Sequence, residues 1–174
     1  MPRRVLGIDP GSRKTGYGVV EQSGNVLRHI DNGVIIVDVR ESMSMRLRQI
    51  YEGLQDVIRD LKPDEVAIET VFLGKNVSSA LKLGQARGAA MVVAANHNLS
   101  VREFSPMEVK RSVAGTGKAQ KHQVQEMVKI LLGLPEIAQE DASDALAVAI
   151  SSCMFRDLPE MLQQSQMKKK RRRS

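Results

Sequence analysis

The stretch VLGIDPGSRKTGYGVV, residues 5–20, runs an apolar segment into an aspartate, breaks at Pro10-Gly11 and resumes as a second apolar segment. Val, Ile and Gly on both sides of a Pro-Gly break read as two strands joined by a tight turn. A third run of the same kind lies beyond Ser23-Gly24-Asn25, so the chain opens as an antiparallel meander over Val5–Asp9, Thr15–Glu21 and Val26–Val37. The meander does not explain why a buried-type strand should close on a carboxylate. Asp before Pro-Gly is ordinary turn chemistry, and for Asp9 taken alone that reading stands.

From Ser42 the apolar period changes from two to that of a helix. Leu47, Ile50, Leu54, Val57, Ile58 and Leu61 share one face, and Pro63 stops the segment. EVAIE, residues 65–69, is then a short buried-type strand, which a helical crossover would lay parallel to an earlier strand, and it too ends on an acid. Ser78–Ala95 reads as a helix dense in small residues (Ala80, Gly84, Ala86, Gly88, Ala89, Ala90), suited to close packing on a sheet or against a second subunit. LSVREF is a further strand. Helices follow near Pro106–Ala114, over Lys121–Leu132 and over Asp141–Phe155, with the basic loop GTGKAQK expected to be flexible. Three strands, helix, strand, helix, strand and then helices describe an α/β fold with a mixed central sheet of about five strands flanked by helices. This is the element order of the ribonuclease H-like architecture, though fold alone does not give function.

The 174 residues suit one core, so residues 1–158 are expected to form one domain and the polar, basic stretch 159–174 a disordered tail. The formal charge of +6 favours a polyanionic partner, but six positive charges sit in Lys168–Arg173 and the body is about neutral. Only 3% of residues are aromatic and none is Trp, so the core must come from Val, Ile, Leu, Met and Ala. The single cysteine, Cys153, and the lack of a signal-peptide pattern or a membrane-length apolar run point to a cytoplasmic protein.

Four acids stand out by position. Asp9 and Glu69 each close an apolar strand, and in an open α/β sheet the functional crevice lies off the carboxyl ends of the parallel strands. Asp141 and Asp144, in EDASDALAVAI, share a face of the first turn of the last helix. Each has a structural explanation on its own, as a turn residue, a solvated strand end or a helix cap near the positive end of the dipole. Those explanations do not account for four acids gathered at one end of one sheet. Clustered carboxylates resist ionisation unless a cation neutralises them, and hard oxygen donors suit Mg²⁺ or Mn²⁺. Two such ions about 3.5–4 Å apart support in-line hydrolysis of a phosphodiester with no nucleophilic side chain. GTGKA is not a phosphate loop, because Ala119 stands where a Walker loop needs Ser or Thr and Ser112 where it needs Gly. His29, His97 and His122 lack ligand spacing.

GIDPGSRKTGYGVV, AIETVFLGKNVSSALKLGQARG and EDASDALAVAI, in this order, resemble the RuvC family of bacterial Holliday-junction resolvases over about residues 3–156. The resemblance implies a homodimeric, Mg²⁺-dependent endonuclease that nicks a four-way junction symmetrically, with two ions per site and RuvA and RuvB as branch-migration partners. It implies Asp9, Glu69, Asp141 and Asp144 as catalytic metal ligands. Asp144 stands where some relatives carry His, and Thr70 where related sequences carry Gln. Phe72, followed by Gly74-Lys75-Asn76, is assigned to stacking on an unpaired base, and Lys75, Lys110, Lys118 and Lys121 to DNA phosphates. Two alternatives remain at this point: a related nuclease acting on RNA or hybrid duplex, and a non-catalytic nucleic-acid or phosphate-binding module.

Overall fold

The structure is a computed structural model that describes residues 2–70 and 76–155. The Phe72 and Lys75 assignments and the 159–174 tail fall outside the described residues.

The meander is present as β1 (Arg3–Asp9), β2 (Lys14–Ser23) and β3 (Val26–Ile36). Helix α1 (Met43–Leu61) starts where the Ser42 side chain accepts from Met45 N at 3.4 Å and stops at Lys62, left-handed with φ of 48°, ahead of Pro63. Then come β4 (Glu65–Glu69), α2 (Val77–Asn96), β5 (Ser100–Phe104), α3 (Pro106–Ala114), α4 (Lys121–Leu132) and α5 (Glu140–Phe155). The sheet order is β3-β2-β1-β4-β5. Strand β1 is antiparallel to β2 and parallel to β4, and β4 is parallel to β5, as the meander and the crossover reading anticipate.

The period of two sends alternate residues of each strand to opposite layers. Leu6 and Ile8 of β1 pack with Val66 and Ile68 of β4 against Ile50, Leu54 and Ile58 of α1 and Ala86, Ala90 and Val93 of α2. Val5 and Ala67 face the other way, toward α5, with α3 and α4 outside it. Asp9 and Glu69 continue that second alternation, so both carboxylates belong to the α5 side of the sheet.

The fifth helix occupies a more central place than its sequence suggests. Nearly every residue from Ala142 to Cys153 is buried, including Ser143, Ser151 and Ser152, the one break in that run being Asp144. A helix apolar all round belongs in an interior, and here the sheet lies on one side of it and α3 and α4 on the other. What lets it sit so low is glycine. A Cβ on Gly7 would collide with the backbone of Ala145 and Ala149, and one on Gly16 with the backbone of Asp141. Gly7 and Gly18 are register partners, and Gly18 would strike Leu146, so together they form a trough across β1 and β2 that receives α5.

The GTGKAQK loop departs from expectation. Gly115 ends α3 in the left-handed region with φ of 76°, Ala119 N donates to Thr116 O at 3.3 Å, and Ala119 is buried. The segment is a folded turn anchored by a small apolar side chain.

Because Gly7 meets backbone atoms, no rotamer change can relieve an added methyl. Gly7→Ala is therefore expected to cost about 1–3 kcal/mol, as other overpacked cores do. The melting temperature should fall by about 2–4 °C per kcal/mol, and an unchanged melting curve would refute the close-approach account.

Candidate active site

Ile8 and Ile68 are paired in the parallel ladder, so Asp9 and Glu69 leave neighbouring strands at the next rung. The turn after Asp9 is held from three sides. The buried Thr15 hydroxyl accepts from Gly11 N at 3.3 Å and donates to Gly11 O at 3.1 Å. Arg46 of α1 donates to Ser12 O, and Val37 N donates to Arg13 O at 3.2 Å. The end of β4 is held similarly: Thr70 donates to Phe104 O through its N–H at 2.8 Å and its hydroxyl at 3.3 Å, while Arg87 reaches Glu69 O and pairs with Glu103. Thr70 thus supports the strand end beside Glu69.

The first turn of α5 brings Asp141 and Asp144 over these strand ends. Asp141 O lies against Gly16, which is the register partner of Asp9. Glu69 and Asp144 line one crevice together with Lys110 and Lys121, floored by Val109 and Val148. The four acids share this end of the sheet, where Asp9 feels the charges of Asp144, Glu69 and Asp141. Among the described residues no three of them already stand close enough to hold a single ion. Asp141 Oδ2 accepts from Gln139 Nε2 at 2.8 Å, and Asp144 Oδ2 from Lys121 Nζ at 2.8 Å.

The electrostatics identify what this cluster lacks. Burial, reinforced by Asp144, Glu69 and Asp141, pushes the Asp9 carboxyl from 3.8 up to about 7, with Lys121 opposing. Burial and then Asp144 push Glu69 upward, with Lys110 and Lys121 opposing. Asp144 also rises, from burial first and then from Glu140 and Asp141, despite its ion pair with Lys121. Burial works against the Lys121 ammonium, but hydrogen bonds to Asp144 and Glu140 hold it firmly protonated. The two lysines therefore do not compensate the site, and the donor set fits a hard divalent cation.

The basic residues divide. Lys110 and Lys121 enter the crevice, Lys121 spanning Glu140 at 2.5 Å and Asp144, whereas Lys118 is exposed on the loop between α3 and α4. Three side chains that organise the site carry no sequence signal of their own: Arg46, Arg87 and Gln139. Arg46 and Arg87 act on backbone carbonyls that only the folded chain brings near, at separations of 34 and 18 residues, while Gln139 acts two residues along the chain through a helix-start geometry that residue type alone does not announce.

The sign of the pH effect follows from Asp9. Its folded carboxyl holds a proton more tightly than the unfolded one, so its favourable contribution is complete below about pH 4 and is lost as pH rises through about 7. In chelator, stability should decline across that window, and Asp9→Asn should flatten the decline and melt higher than the parent at pH 8. Parallel melting-versus-pH curves for the two proteins would refute the raised Asp9 carboxyl.

Comparison with known proteins agrees with this geometry. The family model described as "Crossover junction endodeoxyribonuclease RuvC" matches residues 5–152. A crossover junction endodeoxyribonuclease RuvC of Citrifermentans bemidjiense is 59% identical over 146 residues, covering 84% of this chain and 89% of that one. The protein of the same name from Geobacter sulfurreducens is 60% identical over 147 residues, covering 84% and 90%. Among solved structures, T. thermophilus RuvC in complex with Holliday junction substrate superposes with a TM-score of 0.85 at 32% identity, covering 90% of this chain and 96% of that one. A ribonuclease H-like sheet, a glycine trough seating the last helix and four acids at one sheet end therefore meet in a chain that belongs to the RuvC family of crossover junction endodeoxyribonucleases.

Proposed function

We propose that this protein is a structure-selective DNA endonuclease that resolves Holliday junctions by paired nicks, in recombination and DNA repair. The observation that carries the reading is the convergence of Asp9, Glu69, Asp141 and Asp144 beside Lys110 and Lys121, in a chain of this family. Divalent metal use belongs to the family chemistry. For this chain the reading assigns two Mg²⁺ ions per site, with Mn²⁺ as a substitute, which Asp9, Glu69, Asp141 and Asp144 would hold. The bound cations would supply an activated water and charge stabilisation at the scissile phosphate.

The chain's own residues do the rest. The strand ends fix Asp9 and Glu69 through backbone that is tied on several sides, which keeps the carboxylates preorganised. Asp141 and Asp144 close the site from the helix. Lys110 and Lys121 line the same crevice, where a phosphate would partner them, and the exposed Lys118 extends the positive surface. Lys121 already pairs with Asp144 and Glu140, so a cation or phosphate entering the site must draw it partly from these acids. Phe72 as a base-stacking side chain, Lys75 as a phosphate contact, the 1–158 domain with its basic tail, and RuvA and RuvB as partners complete the reading.

A second copy of the chain completes a two-fold enzyme for a nearly two-fold substrate. The support is α2. Its Ala86, Ala90 and Ala94 pack down on the sheet, while Val77, Leu81 and Val92 are 68%, 64% and 52% exposed along the opposite stripe. Gly84 and Gly88, spaced on that same stripe, have open space where a Cβ would stand. Among the described residues no helix is long and apolar enough to cross a membrane, so this stripe is not part of a membrane span.

Asp9→Asn and Glu69→Gln should each reduce Mg²⁺-dependent cleavage of a synthetic four-way junction by at least about a hundredfold, since cation stabilisation of the transition state is worth several kcal/mol. Junction binding in a gel shift should survive. Near-normal cleavage by either variant, or preference for a hybrid duplex over the junction, would overturn the assignment. Leu81→Arg should convert a dimer to a monomer in sedimentation and uncouple the paired nicks, with the melting temperature of the subunit preserved; a variant still dimeric places the interface elsewhere.

A further inference from the structure

The residue before α5 performs two tasks with one side chain. Gln139 is the N-cap of the helix: its backbone carbonyl accepts from Ser143 N at 2.7 Å and its side-chain Oε1 accepts from Ala142 N at 3.1 Å. Because a backbone N–H must meet an oxygen, the amide orientation is fixed and Nε2 is left facing Asp141, to whose Oδ2 it donates at 2.8 Å. Glutamine is an unusual choice for the cap alone, since Ser, Asp and Asn satisfy the first-turn amides better and immobilise less side chain. A side chain as short as Ser could not span from the cap to the carboxylate. The longer one couples the start of the helix to the orientation of Asp141.

We propose that Gln139 is a positioning residue that holds the Asp141 carboxylate in the orientation that binds the metal, a role resting on the reading of Asp141 as a ligand. Its chemistry suits the task. The Lys121 ammonium neutralises the charge of Asp144, whereas a neutral amide orients Asp141 and leaves its negative charge available to a cation. Outer hydrogen bonds of this kind strengthen metal sites by about ten- to a hundredfold. Gln139 also ties the ligand to the helix terminus, so the orientation is set by the same side chain that caps α5.

Gln139→Ser separates the two tasks, since Ser is a preferred cap but cannot reach Asp141. In chelator the full chain should melt at or above the parental temperature. The Mn²⁺ concentration giving half-maximal binding by calorimetry should rise about tenfold or more, and junction cleavage should need correspondingly more Mn²⁺ while reaching a similar maximal rate. Parental Mn²⁺ affinity in Gln139→Ser, or a melting temperature that falls together with affinity, would reduce Gln139 to a structural cap and overturn the inference. Asp141→Asn in the same titration distinguishes the underlying reading: lost Mn²⁺ affinity there supports it, and unchanged affinity overturns the ligand assignment and the inference together.

Discussion

The seating of α5 in the glycine trough of β1 and β2 is the constraint on which the site depends. Asp9 and Glu69 are fixed by the sheet, and Asp141 and Asp144 by a helix that follows β4 by some 70 residues. Their meeting requires the helix to approach closer than a Cβ allows at Gly7 and Gly16. Close approach also explains the composition of α5. Its face toward the sheet must be low, and its far side is covered by Val109, Val113, Val124 and Val128, so the helix is apolar around its circumference and exposes little beyond its first turn. That first turn carries the acids.

Two glutamates of β4 show how the fold distinguishes a carboxylate matched inside the core from one left in a crevice of acids. Glu65 and Glu69 point to the same face, four residues apart on one strand. Glu65, only 7% exposed, pairs with Arg3 at 3.0 Å and accepts from Ser152 near the far end of α5, where Arg102 also reaches Ser152 and stacks over Phe104 and Phe155. Its buried charge is matched by a guanidinium and a hydroxyl, the arrangement a buried ion needs. Glu69, at the other end of the strand, has acids for neighbours and two lysines at the crevice, and its carboxyl is pushed upward by burial and Asp144. The core between the two ends is continuous and apolar. One end of the sheet closes its charges internally, and the other leaves them to be completed from outside.

The residues supporting the site share a pattern. Arg46, Arg87 and Thr70 grip backbone carbonyls beside Asp9 and Glu69 rather than the carboxylates themselves, and Gln139 meets Asp141 with a neutral donor. Rigid backbone that buries neighbouring carboxylates is costly in isolation, because the burial, and after it the repulsion, that raise the Asp9 carboxyl to about 7 oppose folding. The same burial and repulsion are what a cation would relieve. Lys121 is the exception, a mobile-length side chain that tempers the negative charge from Asp144 without immobilising the strand-end acids.

The strands, helices and four acids were legible because they rest on local physics: a period of two or 3.6, Pro-Gly and Ser caps, and acids placed at the ends of apolar runs. Even a parallel pairing of β4 with an earlier strand followed from the helix before it, and the fold makes that strand β1. The small residues of α2 showed the limit of that approach, since composition marks a packing surface without saying which stripe meets the sheet; the fold sends Ala86 and Ala90 inward and leaves Gly84 and Leu81 outside. The central position of α5, the burial of Ala119 in the core after α3 and the attachment of Lys121 to Asp144 were decided by tertiary structure. Each depends on groups from separate elements arriving within a hydrogen bond or a van der Waals radius of one another. Periodicity assigns a residue to a face, but only packing sets the distance across it.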